Sequence, residues 1–180
     1  MDIKKLNILS VDCDWVRSLK HQEELLSFLL PFLFKSNEIY LNYYHDNIYP
    51  LFTHGYDEYN LINIDDHHDY LYKDFQLKII DPGSWLYHLS LVFKKKINYT
   101  WISNYDSVHL EFPYARMVRE NLKSYLFDHN ISFIKEKKFD KIFICCSPSL
   151  NDTTKEALVA YKIIERIVFH TPHMMNTHLK

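Results

Sequence analysis

The chain has 180 residues, 47% of them hydrophobic, 24% charged and 16% aromatic, with a formal charge of -2. That length suits one domain over residues 1–180 with a real core, and the near-neutral balance offers no basic field for nucleic acid or an anionic membrane. The two glycines, Gly55 and Gly83, have no glycine neighbours, which argues against a Gly-rich phosphate loop or a dinucleotide fingerprint.

In chain order, Met1 to Lys5 is charged but leads into an apolar run at 6–12 that is too short for a signal-peptide core. The run reads as a strand and ends in Ser10-Val11-Asp12-Cys13-Asp14, with two carboxylates one residue apart. A helix is expected near 19–34. Its oily stretch, Leu25 to Phe34, contains Pro31 and falls well short of the roughly 20 apolar residues of a membrane span. A cytoplasmic location without membrane contact follows as the expectation.

A second strand at 38–44 runs into His45, and a third at 61–65 opens Asp65-Asp66-His67-His68-Asp69. Further strands are expected at 76–80, 97–102 and 140–146, with helices near 84–95, 113–127 and 152–168. The last helix opens on Asn151-Asp152-Thr153-Thr154 with Glu156 just inside, a good amino-terminal cap pattern. Alternating strands and helices imply an α/β fold, a three-layer sandwich around a mainly parallel sheet. Cys13, Cys145 and Cys146 fall inside apolar runs and read as reduced core residues.

Ligand sites of open parallel sheets lie beyond the carboxyl ends of the strands. Three such ends here carry Asp12 and Asp14, His45, and the Asp65 to Asp69 segment. Taken singly, Asp and His at loop starts often only cap or hydrogen-bond the backbone. Together, so many carboxylates repel one another and need a cation. In an extended stretch residues 65, 67 and 69 share a face while 66 and 68 point away. Four carboxylates and two imidazoles suit divalent manganese, iron, cobalt or zinc and are too many for one catalytic ion, so two ions sharing carboxylates fit better.

The Asp-x-His-x-Asp motif (Asp65, His67, Asp69), the Ser-x-Asp-x-Asp motif and a single histidine about twenty residues ahead of the former together resemble the arginase–agmatinase superfamily, which also includes the histone deacetylase fold. The resemblance implies two manganese ions, with iron or cobalt as alternatives. Asp65 and Asp12 would bridge them, His45 and Asp69 would complete one ion, and His67 and Asp14 the other. The small size and the phrase Asp81-Pro82-Gly83-Ser84-Trp85-Leu86 look most like the peptide arginases, which convert arginine to ornithine within ribosomally made peptides. The partner implied is an arginine-containing peptide, and the sequence leaves room for an oligomer. The chain departs from the pattern in three ways. The Asp-x-Asp motif precedes the Asp-x-His-x-Asp motif, Trp15 and Val16 replace the usual Asp-Pro, and Cys145-Cys146-Ser147-Pro148-Ser149 lacks a guanidinium-holding glutamate.

Four aspartates cancel two divalent ions, and a hydroxide leaves the cluster near minus one, which suits a guanidinium. By the family match Asp69 binds metal and orients the hydroxide. His88, after Gly83, is the candidate proton donor to the leaving amine, with His54 and His68 as alternatives, and is equally readable as a packing residue beside Trp85 and Leu89. Ser84, Trp85 and Asp152 are candidate substrate contacts, although Ser84 is equally a helix cap and Trp85 a core filler. The alternative activity is a zinc amide hydrolase resembling the deacetylases, with Asp65, His67 and Asp12 on one zinc. A third reading is a metal-stabilised binding module without turnover.

Overall fold

The computed structural model describes residues 3–14, 16, 18–36, 38–52, 55–67, 69, 80, 83–89, 96–103, 123–126, 131–146, 162–163 and 165–169, with 123–126 and residue 132 described in their backbone only. Six strands form one sheet: β1 (Lys5–Asp12), β2 (Glu38–Asn42), β3 (Glu58–Ile64), β4 (Lys96–Ser103), β5 (Lys123–Leu126) and β6 (Lys141–Cys145), in the order β2-β6-β1-β3-β4-β5. Every pairing is parallel, as the alternation of strands and helices implied.

The chain passes from β1 to β2 on one side of the sheet, builds the other side with β3, β4 and β5, and returns with β6 between β1 and β2, so the topological switch lies between β1 and β3. In such sheets the crevice beyond the carboxyl ends at that point is the ligand site. Register brings Val11 beside Ile64 and Asp12 beside Cys145, which fixes which residues rim the crevice.

Both sheet faces are covered, as the apolar strands require. On one face Leu9, Val11, Ile62, Ile64, Ile102, Ile142 and Ile144 pack under helix α1 (Leu19–Leu33), the segment around Ile134 and Phe139, and Ile163 and Ile167. α1 starts where the Ser18 side chain accepts a hydrogen bond from the His21 N–H at 3.1 Å, and it buries Leu25, Leu26, Leu29, Phe32 and Leu33 at helical spacing. On the other face Leu6, Ile8, Leu61, Tyr99, Trp101 and Phe143 pack under Ile48, Leu51 and Phe52 of a 3-10 helix (His45–Phe52), and under Trp85, Leu86 and Leu89. Two further short helices are α2 (Trp85–Tyr87) and α3 (Ser132–Lys135).

The expected strands at 6–12, 38–44, 61–65, 97–102 and 140–146 and the helix at 19–34 are present within a few residues at either end. The end of the expected 113–127 helix is instead strand β5, whose pairing with Thr100–Ser103 outweighs the local helical pattern. β2 stops at Asn42 rather than at residue 44, because the Asn42 side chain accepts from the Tyr43 N–H and the Asn47 amide, both at 2.8 Å. Residues 76–79, 90–95, 113–122 and 152–161 lie outside the described residues, while 162–163 and 165–169 are helical. Among the described residues no helix is long and apolar enough to cross a membrane. Cys13, Cys145 and Cys146 are buried and free of disulfides.

Candidate metal centre

Period-two alternation on β1 puts Ser10 and Asp12 on the face that carries Leu6 and Ile8, and on β3 it puts Asn63 beside Leu61. These polar residues interrupt otherwise apolar strands at the carboxyl-terminal end of one face. Asp65 extends the ladder one residue past β3, its N–H donating to the Ile102 carbonyl at 3.0 Å. Residues 65–67 then form a bend rather than a continuing strand. The expected alternation of 65, 67 and 69 is therefore not what aims them. The Asp65 carboxylate turns back to accept the His67 backbone N–H at 2.8 Å, and Asp69 takes a left-handed conformation with φ 55. Aspartate tolerates that conformation better than most residues, and such strain gathers at functional sites.

α2 holds Asp69 in this posture. The Trp85 indole N–H donates to Asp69 Oδ2 at 2.8 Å, and the Leu86 backbone N–H donates to the Asp69 carbonyl at 3.2 Å. Asn63 Nδ2 lies 3.4 Å from both Asp65 Oδ2 and Asp69 Oδ2 and 3.1 Å from the Tyr99 hydroxyl. The Trp101 indole donates to the Asp65 carbonyl at 2.9 Å.

His45 opens the 3-10 helix and enters from the opposite side. Phe143 stacks on its ring, Trp85 tilts against it, and Ser10 Oγ lies 2.7 Å from Nε2. With Nε2 on the hydroxyl, Nδ1 faces the carboxylates, 2.9 Å from Asp69 Oδ2, 3.0 Å from Asp65 Oδ2 and 3.5 Å from Asp12 Oδ2. His67 Nδ1 sits 3.2 Å from Asp14 Oδ2 and 3.5 Å from Asp65 Oδ1. All six expected ligands thus meet in one place. Five of them form two groups of potential donors, His45-Asp65-Asp69 and Asp14-Asp65-His67, with the donor atoms of each group within 4.8 Å of one another and Asp65 common to both, while Asp12 belongs to a third group with His45 and Cys145.

The two halves differ in access. His45, Asp12, Asp65 and Asp69 are almost wholly enclosed, whereas the His67 side chain is 28% exposed and that of Asp14 13%. Burial and the neighbouring Asp65 charge push the Asp69 carboxyl up to about 7. Burial raises Asp65 too, but hydrogen bonds from His45 and His67 outweigh it and hold its carboxyl well below the usual range. Burial lowers His67, yet Asp14 and Asp65 raise it to about 12; His45 is likewise raised, its burial overcome by Asp69 and Asp65. The buried carboxylate cluster thus favours the protonated form of both imidazoles. Balancing that negative charge is a role a divalent cation fills more completely, and carboxylates with imidazoles are donors that manganese, iron, cobalt and zinc all accept.

Of the other candidates, Trp85 is buried with its N–H committed to Asp69. Ser84 precedes α2 and makes no side-chain cap bond. His88 ends α2, is buried, and its Nε2 has no hydrogen-bond partner among the described residues. Asp152, His54 and His68 lie outside the described residues. The sequence reading missed Asn63, Tyr99 and Trp101 as supports of the ligands. A polar residue two positions before Asp65 on an apolar strand was the available signal for Asn63, whereas Tyr99 and Trp101 become neighbours of the motif only through strand order. Comparison with family models, curated proteins and solved structures finds no match for this chain.

Proposed function

We propose that the chain is a binuclear metal hydrolase whose substrate is the guanidinium of an arginine side chain within a peptide, converted to ornithine with release of urea. The observation that carries the reading is Asp65, a buried carboxylate with one oxygen toward each of two imidazole-containing donor groups. One ion would be held by His45, Asp69, Asp65 and Asp12, the other by His67, Asp14, Asp65 and Asp12. Two divalent ions in such a setting make water acidic enough to attack a trigonal carbon near neutral pH.

The chain's own residues supply the rest. The enclosed His45 side leaves approach to the rim at Asp14 and His67, where a cationic group meets an excess of carboxylate. Asp69, held by the Trp85 hydrogen bond in a left-handed backbone conformation, would bind metal and orient the nucleophile. His88, buried at the end of α2, is the group assigned to protonate the departing amine. Tyr43 and Tyr44, exposed immediately before His45, offer aromatic surface for an extended peptide. A single zinc on Asp65, His67 and Asp12 would leave His45 and Asp69 without a role in the same cluster.

Incubating manganese-loaded protein with arginine-containing peptides and with free arginine tests the proposal. Expected are urea and a peptide carrying ornithine. Hydrolysis of free arginine alone would refute the peptide assignment, and loss of an acetyl group instead would replace it with the amide hydrolase.

A further inference from the structure

Cys145 ends β6 directly opposite Asp12, with its side chain on the face that carries the metal centre. Its Sγ joins an Asp12 oxygen and a His45 nitrogen in a third buried group of potential donors, all within 4.8 Å of one another. That separation is about twice the roughly 2.3 Å metal–sulfur bond, so one ion can reach all three donors with small side-chain adjustments. The thiol donates a long hydrogen bond to the Val11 carbonyl, 3.7 Å. The neighbouring thiols differ: Cys13 and Cys146 pack on the opposite face, among Leu9, Val11 and Ile144.

We propose that Cys145 is a further ligand, as thiolate, of the ion on the His45 side of the centre. The assignment rests on the binuclear reading above and deepens it. Coordination releases the thiol proton to solvent, and five anionic ligands then stand against the four positive charges of two divalent ions, which preserves the preference for a cationic substrate. It also makes the two halves unlike. The Asp14-Asp65-His67 side offers oxygen and imidazole and suits manganese, whereas a thiolate draws the enclosed His45 side toward zinc, cobalt or iron.

Cobalt titration of the full chain, with metal content and absorption spectra recorded together, tests this. Expected are two equivalents of cobalt and a sulfur-to-cobalt charge-transfer band that survives in Cys13→Ser and Cys146→Ser. The band is lost in Cys145→Ser, which still binds two equivalents. Should Cys145→Ser fail to fold, zinc X-ray absorption on the Cys13→Ser/Cys146→Ser double variant decides, with a sulfur shell near about 2.3 Å expected. Two equivalents without a sulfur band or shell would overturn the Cys145 assignment and leave the binuclear centre standing. Failure to bind cobalt at all would overturn both.

Discussion

Asp65→Asn separates the metal account from an ordinary buried hydrogen-bond cluster. The amide keeps an acceptor for the His67 N–H, which now lies 2.8 Å from Oδ1, so the bend after β3 is preserved. The substitution also removes the charge that helps push the Asp69 carboxyl up to about 7, relieving repulsion in the metal-free protein. It also removes the anion that His45 and His67 stabilise, so the metal-free melting temperature should fall, and the manganese-induced shift is read against each protein's own metal-free value. Metal binding should weaken too, because Asp65 belongs to both donor groups. With manganese at about 100 times Kd, binding stabilises the wild type by about 2.7 kcal/mol. A hundredfold weaker Kd leaves about 0.4 kcal/mol by the same relation. For a chain of this size about 1 kcal/mol moves the melting temperature by about 2–4 °C. A manganese-induced shift of about 5–11 °C should thus shrink to about 1–2 °C in differential scanning fluorimetry. Asp14→Asn, in one group only, should lose one equivalent and keep part of the shift. An undiminished shift in Asp65→Asn would refute the shared-carboxylate reasoning.

The pH dependence has a definite sign. The folded metal-free chain keeps a proton on Asp69 from the ordinary 3.8 up to about 7 and on His67 from 6.5 up to about 12, so it binds more protons than the unfolded chain and loses stability as pH rises through those windows. Metal displaces those protons, so the gap in melting temperature with and without manganese should widen from pH 6 to pH 8, and calorimetry in buffers of different ionisation enthalpy should register proton release on binding. A gap that narrows over this range would contradict it. Trp85→Phe removes the 2.8 Å bond to Asp69 and should weaken manganese binding by about 10–100-fold by titration calorimetry, whereas unchanged affinity would make Trp85 a core filler only. His88→Asn should lower turnover about a hundredfold or more at full metal content, and unchanged kinetics would return His88 to packing.

The candidate metal ligands were legible in the sequence because each sits where an apolar run ends, and strand ends on one side of a parallel sheet must converge. Asp12, His45 and Asp65 needed no knowledge of strand order to be grouped. Cys145 did: only the insertion of β6 between β1 and β2 places it beside Asp12, and parallel sheets do not reveal that order locally. The same limit explains β5, where Lys123 to Leu126 carries a helical pattern yet pairs with β4. The posture of Asp69 was also hidden. Alternation assigned it a strand face, whereas a left-handed residue held by α2 delivers it to the same cluster. The 3-10 helix after His45 matters equally, since it fixes the imidazole between Ser10 and the carboxylates.

Crystals grown with manganese and measured for anomalous scattering test the central claim most directly. Two peaks are predicted at the carboxyl ends of β1 and β3, one against His45 and Asp69, the other against His67 and Asp14, with Asp65 touching both. A single peak that Asp65 does not touch, or none in protein shown to be fully folded, would contradict the account.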